Sequence, residues 1–346
     1  MRSPLLSVFL ISVAFVAFAS SNVSIANTGV VTNSFGGFGK WFDYVVVIMM
    51  ENHSINFTYD NGAHSCLGNC TYFTSLANAY GLAEGLTNNG ITGGSIGDYI
   101  AITSGFGNIG PNCNANPVTT PGCLLSITNI VDRLEAAHLT WKVYEDGYPI
   151  SSGCYNDFQS TPNHYGPNHN PFLYYSDIQN NATRCNRIVN ANTVITNQTN
   201  ACGTVVNNDD LFVNDLQSIS TSSNYMFLTP NDVDDIHDCN NVDAGNAWLN
   251  LLVPQILSST LFSNRRAALF ITFDEPDCTF SGCPSAARQI YSVWASPQTT
   301  PVTKLAFKNS VVYTLFSSLK TVENNWGLPP MTSTDMNSND MHEFFP

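Results

Sequence analysis

The sequence is poor in positive charge. It contains 12 Lys and Arg against 26 Asp and Glu, for a formal net charge of −14. Binding to nucleic acid or to anionic lipid through charge requires clusters of basic residues, so this composition argues against both partners. Charged residues of either sign make up only 11 % of the chain. Such a surface gains little repulsion when carboxylates become protonated, which suits an acidic medium, although a secreted glycoprotein would have a similar composition.

Long hydrophobic segments are also scarce, and repeats, heptads and low-complexity linkers are absent. After the first stretch, no segment approaches the ~18 apolar residues that cross a bilayer. Residues 1–19 begin with Met1-Arg2, continue as an apolar run and end in Ala17-Phe18-Ala19. This pattern is typical of a secretory signal peptide. We therefore predict a single domain over residues 20–346, secreted to the extracellular space or cell surface without a stable membrane anchor.

Ten cysteines fit an exported protein, because disulfides form and persist outside the cytosol. A metal site on Cys66 and Cys70 is the alternative, but no second ligand pair follows at zinc spacing. We expect all ten to be oxidised. Three pairs are close enough to close local loops, and four cysteines remain for longer links: Cys66/Cys70, Cys113/Cys123 and Cys278/Cys283, then Cys154, Cys185, Cys202 and Cys239.

Export also makes N-linked glycans possible at Asn-x-Ser/Thr sequences. The chain has six of them, and the second lies in the candidate site described below, which makes it a poor acceptor. They are Asn22, Asn52, Asn56, Asn69, Asn181 and Asn197.

Three apolar runs predict buried strands, and each is followed by acidic residues or histidine. The runs are Tyr44–Met50, Tyr225–Leu228 and Leu269–Phe273. Helical patterns lie between and after them, at residues 129–138, 243–257 (with Pro254 as a kink or restart) and 310–319. Alternation of strands and helices predicts an α/β protein, a three-layer α/β/α sandwich with a mostly parallel central sheet. Residues 148–210, rich in Asn, Pro and Cys, read as a disulfide-rich insertion that caps the sheet edge.

Hard oxygen ligands follow two of these strands. Glu51 and Asn52 come directly after the first run, and Asp274 and Glu275 after the third. Ligands bind beyond the carboxyl ends of parallel strands, and carboxylate and amide oxygens suit divalent cations. Solvated acids or helix caps are the alternative, but their joint position predicts a metal site.

A candidate nucleophile lies in the stretch Thr92-Gly93-Gly94-Ser95. This stretch resembles a glycine-rich turn that opens a helix, where free N–H groups and the helix dipole favour an anion. A serine oxygen there could bind a cation, lose its proton and attack phosphorus. The alternative is that Ser95 only caps the helix.

Several motifs occur together in one order and resemble those of a known family. They are Val47-Ile-Met-Met-Glu-Asn-His-Ser54, Leu139-Thr-Trp-Lys-Val-Tyr-Glu-Asp-Gly-Tyr-Pro149, His169-Asn-Pro-Phe172, Thr229-Pro-Asn231 with Asp235-x-His237-Asp238, Gly245-Asn-Ala-Trp-Leu249 and Phe270-Ile-Thr-Phe-Asp-Glu275. They are similar to the phosphoesterase family that contains bacterial phospholipases C and acid phosphatases. The resemblance covers roughly residues 44–345 and implies an alkaline-phosphatase-like fold.

The resemblance also implies roles for individual residues. Ser95 corresponds to the nucleophile and to a further metal contact. His237 corresponds to a histidine near the phosphate, for phosphate binding or leaving-group protonation; Asp238 would orient it, and His169 is a weaker candidate for the same shell. The implied ligands of a divalent cation (Ca²⁺, Mg²⁺, Mn²⁺ or Zn²⁺) are Glu51, Asn52, Ser95, Asp274 and Glu275.

The chain departs from the family around the nucleophile. Smaller members carry His-Pro before it and Pro-Asn shortly after, where this chain has Gly93-Gly94 and Gly97-Asp98. An ionised Asp98 would repel a phosphate unless it were protonated or metal-bound, which favours a low working pH. The predicted function is a secreted, metal-dependent acid phosphatase that hydrolyses small phosphomonoesters through a phosphoserine. Alternatives are a phospholipase C-type phosphodiesterase and a catalytically silent surface or assembly protein.

Overall fold

The first apolar run forms a strand at the centre of the sheet. The structure, a computed structural model, describes residues 39–62, 66, 68–159, 163–194, 208–238, 242–277 and 288–346. Strand β1 (Tyr44–Met50) is buried throughout and lies between β6 (Tyr225–Thr229) and β7 (Ala267–Phe273), parallel to both. A strand with neighbours on both edges and cover on both faces must be apolar at every position. The three predicted strands are thus confirmed, and they are neighbours.

The main sheet has eight strands in the order β5-β4-β6-β1-β7-β8-β2-β9, and a separate pair joins β3 to β10. Five of its seven pairings are parallel; those of β8 with β7 and with β2 are antiparallel. The mostly parallel sheet is therefore confirmed. The remaining strands are β2 (Gly81–Ala83), β3 (Leu86–Thr87), β4 (Trp141–Glu145), β5 (Ile188–Asn190), β8 (Ser292–Ala295), β9 (Phe307–Asn309) and β10 (Tyr313–Thr314).

Helices cover both faces of this sheet. Val47 of β1 lines a small cavity together with residues of α3 (Ser95–Ser104) and α10 (Leu315–Trp326), whereas Met50 lies under Gly245 of α8 (Val242–Ser258). Residues an odd number apart on a strand point to opposite faces, so these helices form two layers around the sheet. The helices are α1 (Ile55–Thr58), α2 (Thr71–Ala79), α3 (Ser95–Ser104), α4 (Ile130–Ala136), α5 (Ser176–Gln179), α6 (Ala182–Cys185), α7 (Asp210–Asp215), α8 (Val242–Ser258), α9 (Thr260–Asn264), α10 (Leu315–Trp326) and α11 (Ser333–Asn337), with short 3₁₀ helices at Pro167–His169, Pro171–Tyr174 and His342–Phe344.

The predicted helices differ in accuracy at their ends. α4 and α8 match the expected segments, and α8 contains Pro254 without ending there. The helix expected at residues 310–319 was misplaced: α10 begins at Leu315, because Thr314 and Ser317 form a capping box, and extends to Trp326. It ends at Gly327, whose φ of 65° lies in the left-handed region.

Three disulfides are described. The predicted local pairs Cys66–Cys70 and Cys113–Cys123 are present, and Cys154–Cys185 joins two of the four remaining cysteines inside the predicted insertion. The other four cysteines lie outside the described residues, as does the predicted signal peptide. Residues 148–210 supply β5, the outermost strand on one side, while their capping role stays a prediction. Among the described helices, none has the length and apolarity to span a membrane.

Candidate active site

Hydrogen bonds donated by backbone N–H groups join the segments that follow β1, β6 and β7. The Glu51 N–H donates to the carbonyl oxygen of Asp235 at 2.9 Å, and the Asn52 N–H donates to Asp274 Oδ1 at 2.8 Å. Asn52 has a φ of 55°, in the left-handed region that asparagine tolerates better than most residues. This bend turns the chain at the end of β1, so the acids of three separate segments converge.

As a result, five buried side chains with possible metal-ligand atoms lie together. We name this group the central cluster, and it consists of Glu51, His169, Asp235, Asp274 and Ser95. One donor atom each from Glu51, His169 and Asp235 lie within 4.8 Å of one another. His169 Nε2 is 3.4 Å from Glu51 Oε1, and its Nδ1 is 3.0 Å from Asp232 Oδ1. The cluster thus combines carboxylate oxygens with an imidazole.

Ser95 is the first residue of α3 and not its cap. Gly94 occupies the cap position with a φ of 71°, and the Ser95 hydroxyl donates to Glu51 Oε2 at 3.2 Å. The capping alternative for Ser95 is therefore wrong. Glycine is also required at position 97, because a Cβ there would lie 2.3 Å from the Thr92 carbonyl oxygen. The two glycines let the turn fold tightly under the helix and direct Ser95 toward Glu51.

The electrostatics of the cluster suit a bound cation. Burial raises the pKa of Glu51 well above its usual range, and the charges of Asp274 and Asp235 raise it further. Burial likewise raises the pKa of Asp235. Within the described part of the chain, Glu51 Oε1, Asp235 Oδ2 and Asp274 Oδ2 are buried and have no hydrogen-bond partner. Buried, mutually repelling oxygens of this kind are stabilised when a divalent cation coordinates them, so these residues fit the metal that the sequence predicted.

Asp98 lies in the first turn of α3, buried, with Asn88 Nδ2 donating to its Oδ2 at 3.4 Å. Burial raises its pKa well above the usual range, and the charges of Asp274 and Glu275 add to this. Glu275 is half-buried, and burial followed by the charge of Asp274 raises its pKa to about 8. Both carboxyl groups therefore favour the neutral form in acid, which removes the repulsion expected from Asp98.

A second, more exposed group lies beside the central cluster. His237 Nδ1 is 3.2 Å from Asp238 Oδ1, and Asp238 Oδ2 is 2.7 Å from His164 Nδ1. The hydrogen bond with Asp238 raises the pKa of His237 and lowers that of Asp238. The His237 ring lies 5.1 Å from the His169 ring, centroid to centroid. Donor atoms of Asp232, His237 and Asp238 also lie within 4.8 Å of one another.

The structure brings most of the predicted residues together. Glu51, Asn52, Asp274 and Ser95 are linked by the contacts above, and the amide nitrogen of Asn52 is 3.2 Å from Glu51 Oε2. Glu275 instead lines an adjacent cavity of about 210 Å³. Three of the other six lining residues are polar or charged, namely Asn88, Asn89 and Arg288, and the remaining three are Gly90, Ile91 and Pro276.

Four neighbours of this site were not among the predicted residues: Asp232, His164, Asp235 and Tyr99. Asp235 belongs to the acid-rich run after β6, so its carboxylate was visible in the sequence, but the pattern alone did not single it out among four aspartates. Tyr99 stacks on His169 with ring centroids 5.7 Å apart and an interplanar angle of 18°. Tyr99 follows Ser95 by four residues on α3, so the two side chains lie on the same face of the helix. This spacing in the sequence could have indicated that Tyr99 lies near the site.

The chain belongs to the phosphoesterase family, whose model matches residues 67–329. This range includes Ser95, His169, His237 and Asp274 and begins after Glu51.

Among curated proteins, the chain is similar to an acid phosphatase of Aspergillus fumigatus, with 27 % identity over 70 % of this chain and 48 % of that protein. It is also 27 % identical to a phosphate-repressible acid phosphatase of Penicillium chrysogenum, over 62 % of this chain and 46 % of that protein. The chain thus spans about half the length of these curated relatives.

Solved structures of the same fold include a protein of the alkaline phosphatase superfamily from Vibrio parahaemolyticus, with a TM-score of 0.57, 14 % identity and coverage of 86 % of this chain and 69 % of that one. The lipoteichoic acid synthase LtaP of Listeria monocytogenes aligns with a TM-score of 0.54 and 10 % identity, over 88 % of this chain and 78 % of that one. The alkaline-phosphatase-like fold predicted from the sequence is therefore confirmed.

Proposed function

We propose that this chain is a secreted, metal-dependent acid phosphatase that hydrolyses small phosphomonoesters with Ser95 as the nucleophile. The observation that carries the proposal is the position of Ser95. It is the first residue of α3, and its hydroxyl donates to Glu51 within a group of buried carboxylates. The similarity to acid phosphatases supports the reaction class. Secretion is supported by the disulfides, which persist in oxidising compartments.

A divalent cation would be held by Glu51, Asp274, Ser95 and the side-chain oxygen of Asn52, with Asp235 and His169 as further donors and Glu275 at the edge. It would supply positive charge to the phosphoryl oxygens and favour the serine alkoxide. An imidazole beside carboxylates suits Mn²⁺ or Zn²⁺ better than Ca²⁺ or Mg²⁺, which prefer oxygen ligands alone.

The first half-reaction uses groups whose contacts are in place. Ser95 Oγ forms a bond to phosphorus while the bond between phosphorus and the ester oxygen breaks, and the hydroxyl proton passes to Glu51 Oε2, its hydrogen-bond acceptor. The helix N-terminus at Ser95 presents backbone N–H groups and its positive dipole end to the phosphoryl oxygens. The product of this step is a phosphoserine.

In this proposal His237 protonates the leaving group. Because Asp238 raises its pKa, the imidazole stays protonated across a wider range of acidic pH and donates to the departing oxygen. In the second half-reaction, water attacks the phosphoserine and gives a proton to His237, while Ser95 recovers its proton from Glu51. Phosphate leaves, and each group returns to its starting state.

The cavity beside Glu275 favours a small polar substrate. Asn88, Asn89 and Arg288 line it, and Ile91 and Pro276 are its apolar side chains. A phospholipase C requires an apolar surface for acyl chains, and this cavity offers little. We therefore rank phosphomonoester hydrolysis above cleavage of phospholipids.

The purified chain tests this with three substrates measured from acidic to alkaline pH: p-nitrophenyl phosphate, bis-p-nitrophenyl phosphate and phosphatidylcholine vesicles. We expect turnover of the monoester, highest in acid, lost on chelation and restored by Mn²⁺ or Zn²⁺. Preference for the vesicles would establish the phospholipase alternative instead. Absence of turnover on all three substrates at every pH and with every metal would favour the silent surface or assembly protein.

A further inference from the structure

A loop that the mechanism above does not use lies against the turn before Ser95. We name it the covering loop and define it as residues 107–123. The Thr92 hydroxyl donates to Asn108 Oδ1 at 2.8 Å, and these two residues also form a parallel β-bridge. Ile109 comes next and lies so close to the glycine after Thr92 that a Cβ on that glycine would overlap its side chain. The loop therefore runs alongside the turn toward the nucleophile.

Asn114 is the residue of the covering loop that lies beside the end of the turn. Its side-chain nitrogen is 3.9 Å from the position that a Cβ on Gly94 would occupy. Gly94 caps α3 and is bonded directly to Ser95, so the Asn114 amide lies against the residue before the nucleophile. Gly94 and Asn114 are exposed, whereas Ser95 is buried. These two residues therefore mark the side from which solvent reaches the turn.

The backbone on either side of Asn114 is held in place. Cys113 is buried and forms a disulfide with Cys123. The buried hydroxyl of Tyr174 lies 3.0 Å from the Cys113 carbonyl oxygen and 2.6 Å from the Ala115 carbonyl oxygen, so it contacts both neighbours of Asn114. Among the described residues, the Asn114 side chain has no hydrogen-bond partner. A donor that is already fixed near a site and has no other partner binds an anion with little loss of entropy.

The proposed reaction needs donors of this kind. Phosphoryl oxygens accept hydrogen bonds, and the carboxylates of the central cluster are acceptors as well, so those carboxylates do not satisfy them. The N-terminus of α3 supplies backbone N–H groups. A side-chain amide adds a further donor, and because it does not titrate it serves the site equally well at acidic and at neutral pH.

We propose that Asn114 is a further catalytic residue, whose side-chain N–H donates to a non-bridging oxygen of the phosphoryl group. This inference rests on the function proposed above and adds a residue to the same site. In an in-line attack, the Ser95 oxygen approaches phosphorus from one side and the ester oxygen departs on the other, with the three non-bridging oxygens between them. A donor beside Gly94 reaches one of these oxygens and stabilises the charge that they share in the transition state. The disulfide and Tyr174 then serve to position Asn114.

The test uses the full chain with its metal and compares Asn114→Ala and Asn114→Asp with the wild type. Asn112→Ala is the matched control, because Asn112 is an exposed asparagine of the same loop on the other side of Cys113. The readouts are kcat and KM for p-nitrophenyl phosphate, the inhibition constants of inorganic phosphate and vanadate, and the melting temperature.

We expect Asn114→Ala to lower kcat/KM by about 10- to 100-fold and to weaken inhibition by phosphate and vanadate by about 10-fold. Asn114→Asp should lose more, because an exposed aspartate is ionised above about pH 4 and repels the phosphoryl group. Both variants should keep the melting temperature of the wild type, since the side chain is exposed, and Asn112→Ala should match the wild type in every readout. If Asn114→Ala keeps the kcat/KM and the inhibition constants of an active wild type, the inference is wrong and the proposed function stands.

A second measurement does not depend on turnover. Calorimetric titration with inorganic phosphate compares Ser95→Ala with Ser95→Ala/Asn114→Ala, so neither protein forms a phosphoserine. Phosphate binding that is about 10-fold weaker in the double variant supports the amide contact. Equal binding to the two proteins contradicts it. A wild type that neither hydrolyses the monoester nor binds phosphate overturns the proposed function and this inference together.

Discussion

Two groups of buried acids lie at one edge of the same sheet and differ in what surrounds them: the central cluster, and a lateral cluster that consists of Asp146, Asn192, Asp209, Asn231 and Asp234. In the central cluster, carboxylates meet an imidazole and a serine hydroxyl, and a polar cavity opens beside Glu275. In the lateral cluster, carboxylates meet side-chain amides and an indole. In the proposed mechanism, the central cluster supplies the nucleophile and the groups that transfer protons, whereas the lateral cluster takes no part in the reaction.

One loop contributes to both clusters. After β6, Asn231 and Asp234 turn toward the lateral cluster, whereas Asp232 and Asp235 lie against His169. This alternation shows how a single acid-rich run serves two purposes, since neighbouring side chains point in different directions. It also gives a clear expectation: substitutions in the central cluster should affect turnover, and substitutions in the lateral cluster should affect stability.

The largest effect is expected for Ser95→Ala. Loss of the nucleophile should lower turnover of p-nitrophenyl phosphate by at least about 10³-fold, because the remaining groups cannot form the phosphoserine. The melting temperature should change little, since the hydroxyl removed makes one hydrogen bond, to Glu51, and is not the helix cap.

Ser104→Ala is the control for this change. Ser104 lies at the other end of α3, and its hydroxyl donates to the Ile100 carbonyl oxygen at 2.8 Å, so turnover should remain near that of the wild type. Near-normal turnover of Ser95→Ala combined with inactivity of Ser104→Ala would show that Ser95 has been assigned wrongly.

The next largest effect is expected from replacing an aspartate by asparagine in the central cluster, with the same replacement in the lateral cluster for comparison. Asp274→Asn should reduce turnover by about 100-fold or more and weaken metal dependence, because it removes a charged donor beside Glu51. Asp209→Asn should keep most of the turnover at saturating metal, because the central cluster retains all its donors. Equal losses of turnover in the two variants would contradict the expectation that only the central cluster takes part in the reaction.

The pH profile of turnover tests the outer histidine. In Asp238→Asn, His237 loses the carboxylate that raises its pKa, so its pKa falls and the alkaline limb of the kcat profile should move to lower pH. We expect roughly a 10-fold loss of kcat near neutral pH and a smaller loss in acid. His164→Asn removes only the other partner of Asp238 and should move this limb less. An unmoved limb in Asp238→Asn would remove His237 from the leaving-group role.

The sequence predicted the sheet well because its central strands are buried on both faces. Such strands must be apolar at every position, and β1 and β7 therefore stand out as uninterrupted runs. The ends of the first and third runs also put Glu51 and Asp274 at one edge of the sheet, because β1 and β7 are parallel; their role as metal ligands stays a prediction. The start of α10 was missed because a capping box between Thr314 and Ser317 decided it, and the hydrophobic pattern began earlier.

Other features of the site depend on tertiary contacts that no local pattern encodes. Asp235 was selected over its neighbours by the direction of the loop after β6, and that loop includes Ile236 with a φ of 83°, rare for a β-branched residue. The lateral cluster joins residues from Asp146 to Asp234, separated by much of the chain. That Asp209 Oδ1 is buried with no hydrogen-bond partner among the described residues could be recognised only from the folded structure.

The smallest effect on turnover is expected for Glu323→Gln, which concerns acids outside both clusters. Glu323 is buried on α10 beside Asp335, and burial together with that carboxylate raises its pKa to about 8, while contact with Glu323 helps to lower the pKa of Asp335. A raised pKa means that the folded state holds the proton more tightly than the unfolded state. Its contribution to stability is therefore complete below about pH 4.5 and is lost as pH rises through about 8.

Glutamine stays neutral and can donate to Asp335 as the protonated acid does, so Glu323→Gln should match the wild type at low pH and exceed its stability at pH 8 and above. Urea unfolding across this range measures the difference, and turnover should not change. Glu275→Gln is the informative comparison, because burial and Asp274 raise the pKa of Glu275 to about 8 as well. In protein freed of metal by a chelator, Glu275→Gln should also make the free energy of unfolding less dependent on pH. Unlike Glu323→Gln, it should reduce metal-dependent turnover, because Glu275 lies at the edge of the central cluster. If the two variants lose turnover alike, Glu323 influences the site and the separation between reactive and structural acids fails.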